Sequence, residues 1–487
     1  MRGRPDLFAA LLLVAAALLV YLPSLSGAGW VADDLGLIAH HQHPGALGAE
    51  WRTPSHQLAT GVVGGVVWRP IPGTLYQLVG EGLGRDVLNF KCLNIIVLVL
   101  DAFLLASVAR RLGATAWGGA LLGLAWALHP STADAVAWAS DTCDLLAVAG
   151  LLGALGALLD LGRPRGARLA LAGACFLAAL LSKETSVYFA LGGPLALLLL
   201  RGRRPAAEAL LALAGVAALH RLWHAEVVGR ADPGLGRALS DPQLGSIWTA
   251  YLATPLAPVT DGFTRLVWPG TPPSALGVAL LAGLVGGGLW LRRRGLEAGR
   301  ALLASAALWG LGLAPAAAVA AVTGLAPVRY AVMPMALAVA ALGGAAPPGR
   351  IGVGLGLAWL VAFAPLASLR AGEWRTELAL YAAEHEAAPD NPLAASALGR
   401  LLVERGAVDE GLALWREGLS RPPPSRYAMD PQQQTLDLAV AATRHGRHGV
   451  AREALDAFLA EERAMGRPVH ASILELSAQV DAALAAP

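Results

Sequence analysis

Apolar residues dominate stretches at about 7–23, 89–109, 116–129, 143–160, 168–182, 186–200, 206–221, 274–291, 301–322, 330–346 and 351–368. These runs are long for strands, and flanking residues bring the shorter ones toward the roughly 20 residues that cross about 30 Å of hydrocarbon as a helix. About eleven membrane-spanning helices are therefore expected within residues 1–369, and the fold class is all-α. The segment 247–268 carries Asp261, Arg265 and prolines, so it is expected to stay outside or lie at the interface and add no crossing.

Beyond residue 370 the long apolar runs end and charged, helix-forming sequence begins at Trp374-Arg375-Thr376-Glu377. Tyr381 and Pro389 recur as Trp415 and Pro423, each 34 residues later, which is the tetratricopeptide length. Within 392–425, Leu398-Gly399, Gly411, Trp415, Gly418 and Pro423 occupy the Leu-Gly, small, aromatic, small and proline positions of that repeat. Small residues let paired helices approach closely, and proline ends the second helix. Segment 432–466 reads as a degenerate second copy, with Ala454 and Phe458 in the small and aromatic roles and an enlarged His445–Gly449 turn. Residues 370–487 are expected to form a tetratricopeptide-like helical domain, with a plain helical-hairpin domain as the alternative.

Composition narrows the class. Of 487 residues, 56% are hydrophobic and 15% charged, with a mean hydropathy of +0.55. That excludes a soluble globular chain and a disordered one, and nothing points to a nucleic-acid partner. The net charge of +2 conceals a bias: Lys91 and Lys183 are the only lysines, and every other basic side chain is arginine, as a GC-rich genome would give. Cys92, Cys143 and Cys175 lie in apolar segments and read as packing residues, with no disulfide framework. The arginines cluster at 2 and 4, 110–111, 163–168, 201–204, 292–300 and 350. From a cytoplasmic N-terminus every cluster falls on the cytoplasmic side, as the positive-inside rule requires. The chain is thus expected in a bacterial inner membrane, with its C-terminal domain extracytoplasmic. A cleaved signal peptide at the N-terminus is the alternative to a retained anchor.

In this orientation the residues that are costly beside a bilayer gather on the outer face: Asp33 and Asp34, His129 to Asp144, Lys183 and Glu184, Arg221 with His224, and Arg329. Such groups are functional candidates by default. Carboxylates with fixed cations at a lipid–water boundary suit a reaction in which an acid group activates a hydroxyl and cations hold a phosphate leaving group.

These residues also carry a family resemblance. Trp30-Val31-Ala32-Asp33-Asp34, Trp68-Arg69-Pro70-Ile71-Pro72, Leu88 to Asn94, His129-Pro130 through Asp134-Ala135-Val136-Ala137-Trp138, Leu181-Ser182-Lys183-Glu184 and Val328-Arg329-Tyr330 with Pro334 occur in that order. The chain resembles the GT-C superfamily of membrane glycosyltransferases, in particular the O-mannosyltransferases and bacterial relatives that join a multispan catalytic domain to C-terminal tetratricopeptide repeats. It departs from them where Asp141-Thr142-Cys143-Asp144 replaces a Gly-Arg before the second acid, and where Val328 replaces an acid.

The resemblance implies transfer of a monosaccharide from a polyprenyl-phosphate donor to an acceptor hydroxyl outside the cytoplasm, with inversion. Membrane lipid would surround the enzyme, and a protein or glycan acceptor would be held by the repeats. Asp34 is the favoured base, with Asp33 its partner and Asp134 a third catalytic candidate or, alternatively, a helix cap. Lys183, Arg329, Arg69 and Arg221 are candidates for the donor phosphate, with interface anchoring as the alternative, and His129, Glu184 and Asp144 complete the site. No cofactor is required. His40, His41, His43 and His56 with Asp33 and Asp34 would be compatible with a divalent metal, but their spacing matches no standard zinc pattern. The competing functions are an oligosaccharide ligase, a lipid-linked sugar transporter or flippase, and a non-catalytic scaffold for the repeats. A transporter usually shows internal symmetry, which this sequence lacks.

Overall fold

The computed structural model describes residues 4–31, 34, 38, 51, 55–56, 66–228, 244–252, 274–323, 328–345, 350–421, 431–466 and 468–486. Helix α1 (Arg4–Leu25) is followed by a minimal antiparallel pairing of β1 (Ser55–His56) with β2 (Val66–Val67), in register Ser55 to Val67 and His56 to Val66. Then come α2 (Pro70–Gly82), α3 (Val87–Arg111), α4 (Ala116–Ala127), α5 (Pro130–Ala137), α6 (Thr142–Leu159), α7 (Arg165–Ser182), α8 (Phe189–Arg201) and α9 (Arg203–Val228). A short α10 (Leu244–Leu252) precedes α11 (Ala275–Arg293), α12 (Ala298–Thr323), α13 (Val332–Ala341) and α14 (Arg350–Glu373).

Seven of these, α3, α6, α7, α9, α11, α12 and α14, are long and apolar enough to cross a membrane. The other four expected spans fall on shorter apolar helices: Leu11–Leu25 of α1, α4 with 12 residues, α8 with 13, and Arg329–Gly344 around α13. Apolar side chains such as Leu19, Ile96, Leu211 and Val361 point outward, as expected where lipid rather than water surrounds the bundle.

The abundance of small residues has a packing consequence. A Cβ at Gly123 of α4 would lie 2.6 Å from the Ala102 carbonyl oxygen of α3, and one at Gly150 of α6 would lie 2.7 Å from the Cys175 oxygen of α7. Glycine lets these backbones touch, which is how helices associate where no hydrophobic effect operates between them.

The bundle has two chemically distinct poles. At the arginine pole, Arg201 donates to the Arg111 carbonyl at 3.1 Å and Arg168 pairs with Glu208 at 2.6 Å. At the loop pole, the Tyr21 hydroxyl donates to the Ala127 carbonyl at 2.6 Å, and α14 hands over to the C-terminal region.

That region contains α15 (Glu377–Ala387), α16 (Pro392–Glu404), α17 (Val408–Ser420), α18 (Pro431–Arg444), α19 (His448–Ala464) and α20 (Ala471–Ala485). Asn391 caps α16 by accepting from the Leu393 and Ala394 amides. Gly406, at φ +90°, makes the left-handed turn between α16 and α17. Small residues again set the approach: a Cβ at Gly399 would lie 2.5 Å from the Trp415 nitrogen, and one at Gly418 2.8 Å from the Pro392 oxygen. Trp415, Leu412, Val403 and Leu438 with Ala451 and Leu455 form the core of this stack. Pro423 lies outside the described residues.

Candidate active site

The segment joining α4 to α6 is the frame of the site. His129 is the N-cap of α5, its Nδ1 accepting from the Ser131 amide at 3.2 Å, and Pro130 follows at the first helical position. The cap is therefore His129, while Asp134 lies inside the helix. After α5 the chain turns through a 3₁₀ segment, Ala139–Asp141, that leads into α6. Three neighbours hold this turn. The Tyr76 hydroxyl donates to the Ser140 carbonyl at 2.6 Å, and the Asn94 amide donates to the Trp138 carbonyl at 2.8 Å. Asp34, fully buried, accepts from the Ser140 amide at 2.8 Å and from the Val31 amide at 3.1 Å. Asp34 thereby fastens the first loop to the second.

Against this frame lies a cluster of three cations and three carboxylates from four separate segments. Lys183, at the end of α7, pairs with Asp144 of α6 at 2.5 Å. Arg69 makes a two-pronged bond to Glu184, with Nε to Oε2 at 3.0 Å and Nη2 to Oε1 at 2.7 Å. Its remaining Nη1 donates to the Cys143 sulfur at 3.5 Å. Arg329, from the 3₁₀ segment Val328–Ala331, lies 3.6 Å from Asp141 and stacks on the Trp138 ring at 4.1 Å. Tyr330 lies 5.3 Å from the Lys183 ammonium and 5.2 Å from the Arg329 guanidinium. Burial raises the Glu184 carboxyl, but the Arg69 guanidinium overrides it and holds the group down at about 2. The Lys183–Asp144 pair is desolvated, so breaking it strands a charge, whereas the Glu184 side chain is half-exposed.

Other expected site residues lie elsewhere. Asp134 is buried against Arg370 of α14, whose Nε lies 2.7 Å away, and accepts from the Trp374 indole at 2.9 Å. Arg370 also bonds Glu373 and reaches Glu384 of α15 at 3.0 Å. Asp134 thus ties the loop-pole frame, through Arg370 and Glu384, to the C-terminal helices. The His129 ring packs on Trp359 and Phe363 of α14 and lines an apolar cavity of about 440 Å³, with Leu121, Trp126, Trp309 and Met335 among its walls. Arg221 is exposed on α9, outside the cluster. Asp33, His40, His41 and His43 lie outside the described residues, as does the His56 side chain.

Asp141, Cys143 and Asp144 offer donor atoms within 4.8 Å of one another, a spacing a metal could use. Yet Asp144 is paired with Lys183, and Arg329 adjoins Asp141. A divalent cation would enter against two fixed positive charges, so the donors as arranged do not fit one. The same cations favour an anion.

Asp141 and Cys143 were not among the sequence candidates. Cys143 is buried, as expected of a packing residue, but it packs between charges, whereas Cys92 and Cys175 are half-buried. Lys91 is a further buried cation outside the sequence candidates. Its ammonium donates to the Trp374 carbonyl at 2.7 Å and the Ser24 carbonyl at 3.4 Å. The signal was present, since lysine is as rare at 91 as at 183.

No protein-family description and no curated protein matches the chain. Among solved structures, it is similar to ArnT from Cupriavidus metallidurans bound to undecaprenyl phosphate, with 16% identity and a TM-score of 0.42 over 90% of this chain and 80% of that one. It is also similar to the Archaeoglobus fulgidus oligosaccharyltransferase tethered to an acceptor peptide containing the NVT sequon. There the identity is 13% and the TM-score 0.38, over 85% of this chain and 59% of that one.

Proposed function

We propose that the chain is a membrane glycosyltransferase that moves a monosaccharide from a polyprenyl-phosphate donor to an acceptor hydroxyl at the loop pole. The observation that carries this reading is the cation–carboxylate cluster: Lys183, Arg329 and Arg69, each set against a carboxylate, at the end of an apolar bundle. A phosphate at the boundary would take over Lys183 and Arg329 from Asp144 and Asp141. Those cations then stabilise the negative charge that builds on the leaving phosphate as the glycosidic bond breaks. The apolar cavity beside His129 suits the donor's hydrocarbon chain, and on this reading the lipid tail lies among the helices with its head group at the pole.

A carboxylate must accept the acceptor proton. Asp34 already accepts two backbone N–H bonds and acts by positioning the frame. Asp141 is the better placed acceptor: its buried Oδ2 makes no hydrogen bond among the described residues and faces only the looser 3.6 Å approach of Arg329, which a bound phosphate would draw away, whereas Asp144 is held by Lys183 at 2.5 Å. Asp33, which the family resemblance favours with Asp34, is the competing acceptor. Asp134 serves architecture through Arg370, and Arg221 anchors α9 at the interface. The helical repeats then sit on the same side as the chemistry, where they would hold a protein or glycan acceptor, and the loop pole faces away from the cytoplasm.

Transfer from a hexosyl-phospho-undecaprenol in lipid discs tests the reading. Turnover should be abolished by Asp141→Asn with donor binding retained, and reduced but measurable in Asp34→Asn. Full turnover in Asp141→Asn with loss only in Asp33→Asn moves the proton to the first loop. Absence of donor binding by the wild-type chain contradicts the function itself.

A further inference from the structure

Beside the charge cluster lies a group of aromatic and imidazole side chains with no part in the chemistry above. Trp68, which precedes Arg69, is only 2% exposed. Its ring lies 6.0 Å from His220 at 24°, 5.1 Å from Trp223 at 65° and 6.0 Å from His224 at 71°. Trp51, from the first loop, stacks on Trp223 at 5.9 Å and 27°, and its indole N–H donates to the Thr74 hydroxyl at 3.2 Å. His220, Trp223 and His224 stand at i, i+3 and i+4 on α9, so one helix face presents all three.

Tryptophan near a membrane surface often belongs to an interfacial belt. This group differs from a belt in two respects. Trp68 is covered by protein rather than by head groups, and the Trp51 N–H is bonded within the chain. By contrast, Trp290 at the arginine pole is 53% exposed and carries the neighbouring Arg294 over its ring, as a belt residue does.

We propose that Trp51, Trp223 and His224, backed by Trp68 and His220, form a recognition platform for a hexopyranose ring. An indole face packs against the C–H face of a pyranose, and imidazole nitrogens exchange hydrogen bonds with its hydroxyls. Trp51, Trp223 and His224 remain partly exposed, and the rings carry no fixed charge, as suits a neutral sugar. Chain continuity from Trp68 to Arg69 puts the platform next to the cations. The inference rests on the glycosyltransferase reading and names where its sugar sits.

The test uses the full chain in lipid discs and saturation-transfer NMR with the methyl glycosides of glucose, mannose and galactose. At least one should receive saturation at its ring C–H protons. Trp51→Ala and Trp223→Ala should each weaken that glycoside at least five-fold, whereas Trp223→Phe and Trp290→Ala should leave it near wild type. The phenylalanine variant keeps the ring, so its recovery separates a lost platform from a lost fold. No transfer to any glycoside, or equal transfer in all variants, overturns the proposal. Hexosyl-phospho-undecaprenol and bare undecaprenyl phosphate identify the source. If Trp223→Ala weakens the first and spares the second, the ring belongs to the donor; if it weakens only the glycosides, the ring belongs to the acceptor. Glycoside binding without any binding of undecaprenyl phosphate would remove the donor reading and leave the platform standing.

Discussion

Cations at the two poles of the bundle share a chemistry, and most of them differ in how far water reaches them. At the arginine pole Arg204 and Arg165, 85% and 62% exposed, converge with Arg168, itself 8% exposed, on one carboxylate, Glu208. At the loop pole Lys183 and Arg329 are 6% and 11% exposed and face acids from other helices. Exposed cations in water gain little from a partner, whereas a desolvated cation is costly unless something repays it. The exposed Arg204 and Arg165 therefore read as orientation of the chain in the membrane, while the buried Arg168–Glu208 pair ties α7 to α9. The loop-pole set reads as a place prepared for an anion.

The largest expected effect breaks the loop pole. Lys183→Ala and Arg329→Ala should each lower transfer by about 10²–10³ in steady-state assays, comparable to removing one charge-stabilising donor. Arg329→Lys should fall between, because an ammonium cannot reproduce a two-pronged grip on phosphate. Next comes Arg370→Ala, which strands Asp134 and Glu384 together. A cost of about 3–5 kcal/mol is expected, seen as a lower melting temperature and protease release of residues after 373. Gly411→Ala would set a Cβ 2.6 Å from the Gly399 oxygen. It should destabilise the C-terminal stack by about 1–3 kcal/mol while leaving undecaprenyl phosphate binding unchanged.

Acid sharpens the comparison further. The Glu184 carboxyl lies below its ordinary value of 4.5, at about 2, so its pairing stabilises the fold above pH 4.5 and is lost as pH falls toward 2. The gap in melting temperature between wild type and Glu184→Gln should be constant above that range and close within it. The smallest effect belongs to the arginine pole: Arg204→Gln should change stability by about 0–1 kcal/mol and transfer not at all.

Much of this organisation is legible in the chain because charge on an apolar background is conspicuous. Lys183, Glu184, Arg69, Asp144 and Arg329 stand out by charge alone, and the structure brings them together. What sequence leaves open is pairing. Asp134 and Arg370 are 236 residues apart, so neither announces the other. His129 carries a motif-like neighbourhood, but its cap and its wall of Trp359 and Phe363 depend on where α14 returns. The α9 aromatic face is a local pattern, and it gains meaning only when the first loop folds Trp51 and Trp68 onto it. The C-terminal helices follow the small-residue spacing because close approach is written locally, at Gly399, Gly411 and Gly418.

Retention of undecaprenyl phosphate by the full chain in lipid discs, read by native mass spectrometry, bears most directly on the central claim. Wild type, Arg165→Gln and Arg204→Gln should retain the lipid equally, and Lys183→Ala and Arg329→Ala should each retain at least ten-fold less. Equal retention by all five proteins would contradict the account, because the buried cations would then be anchors like those at the opposite pole.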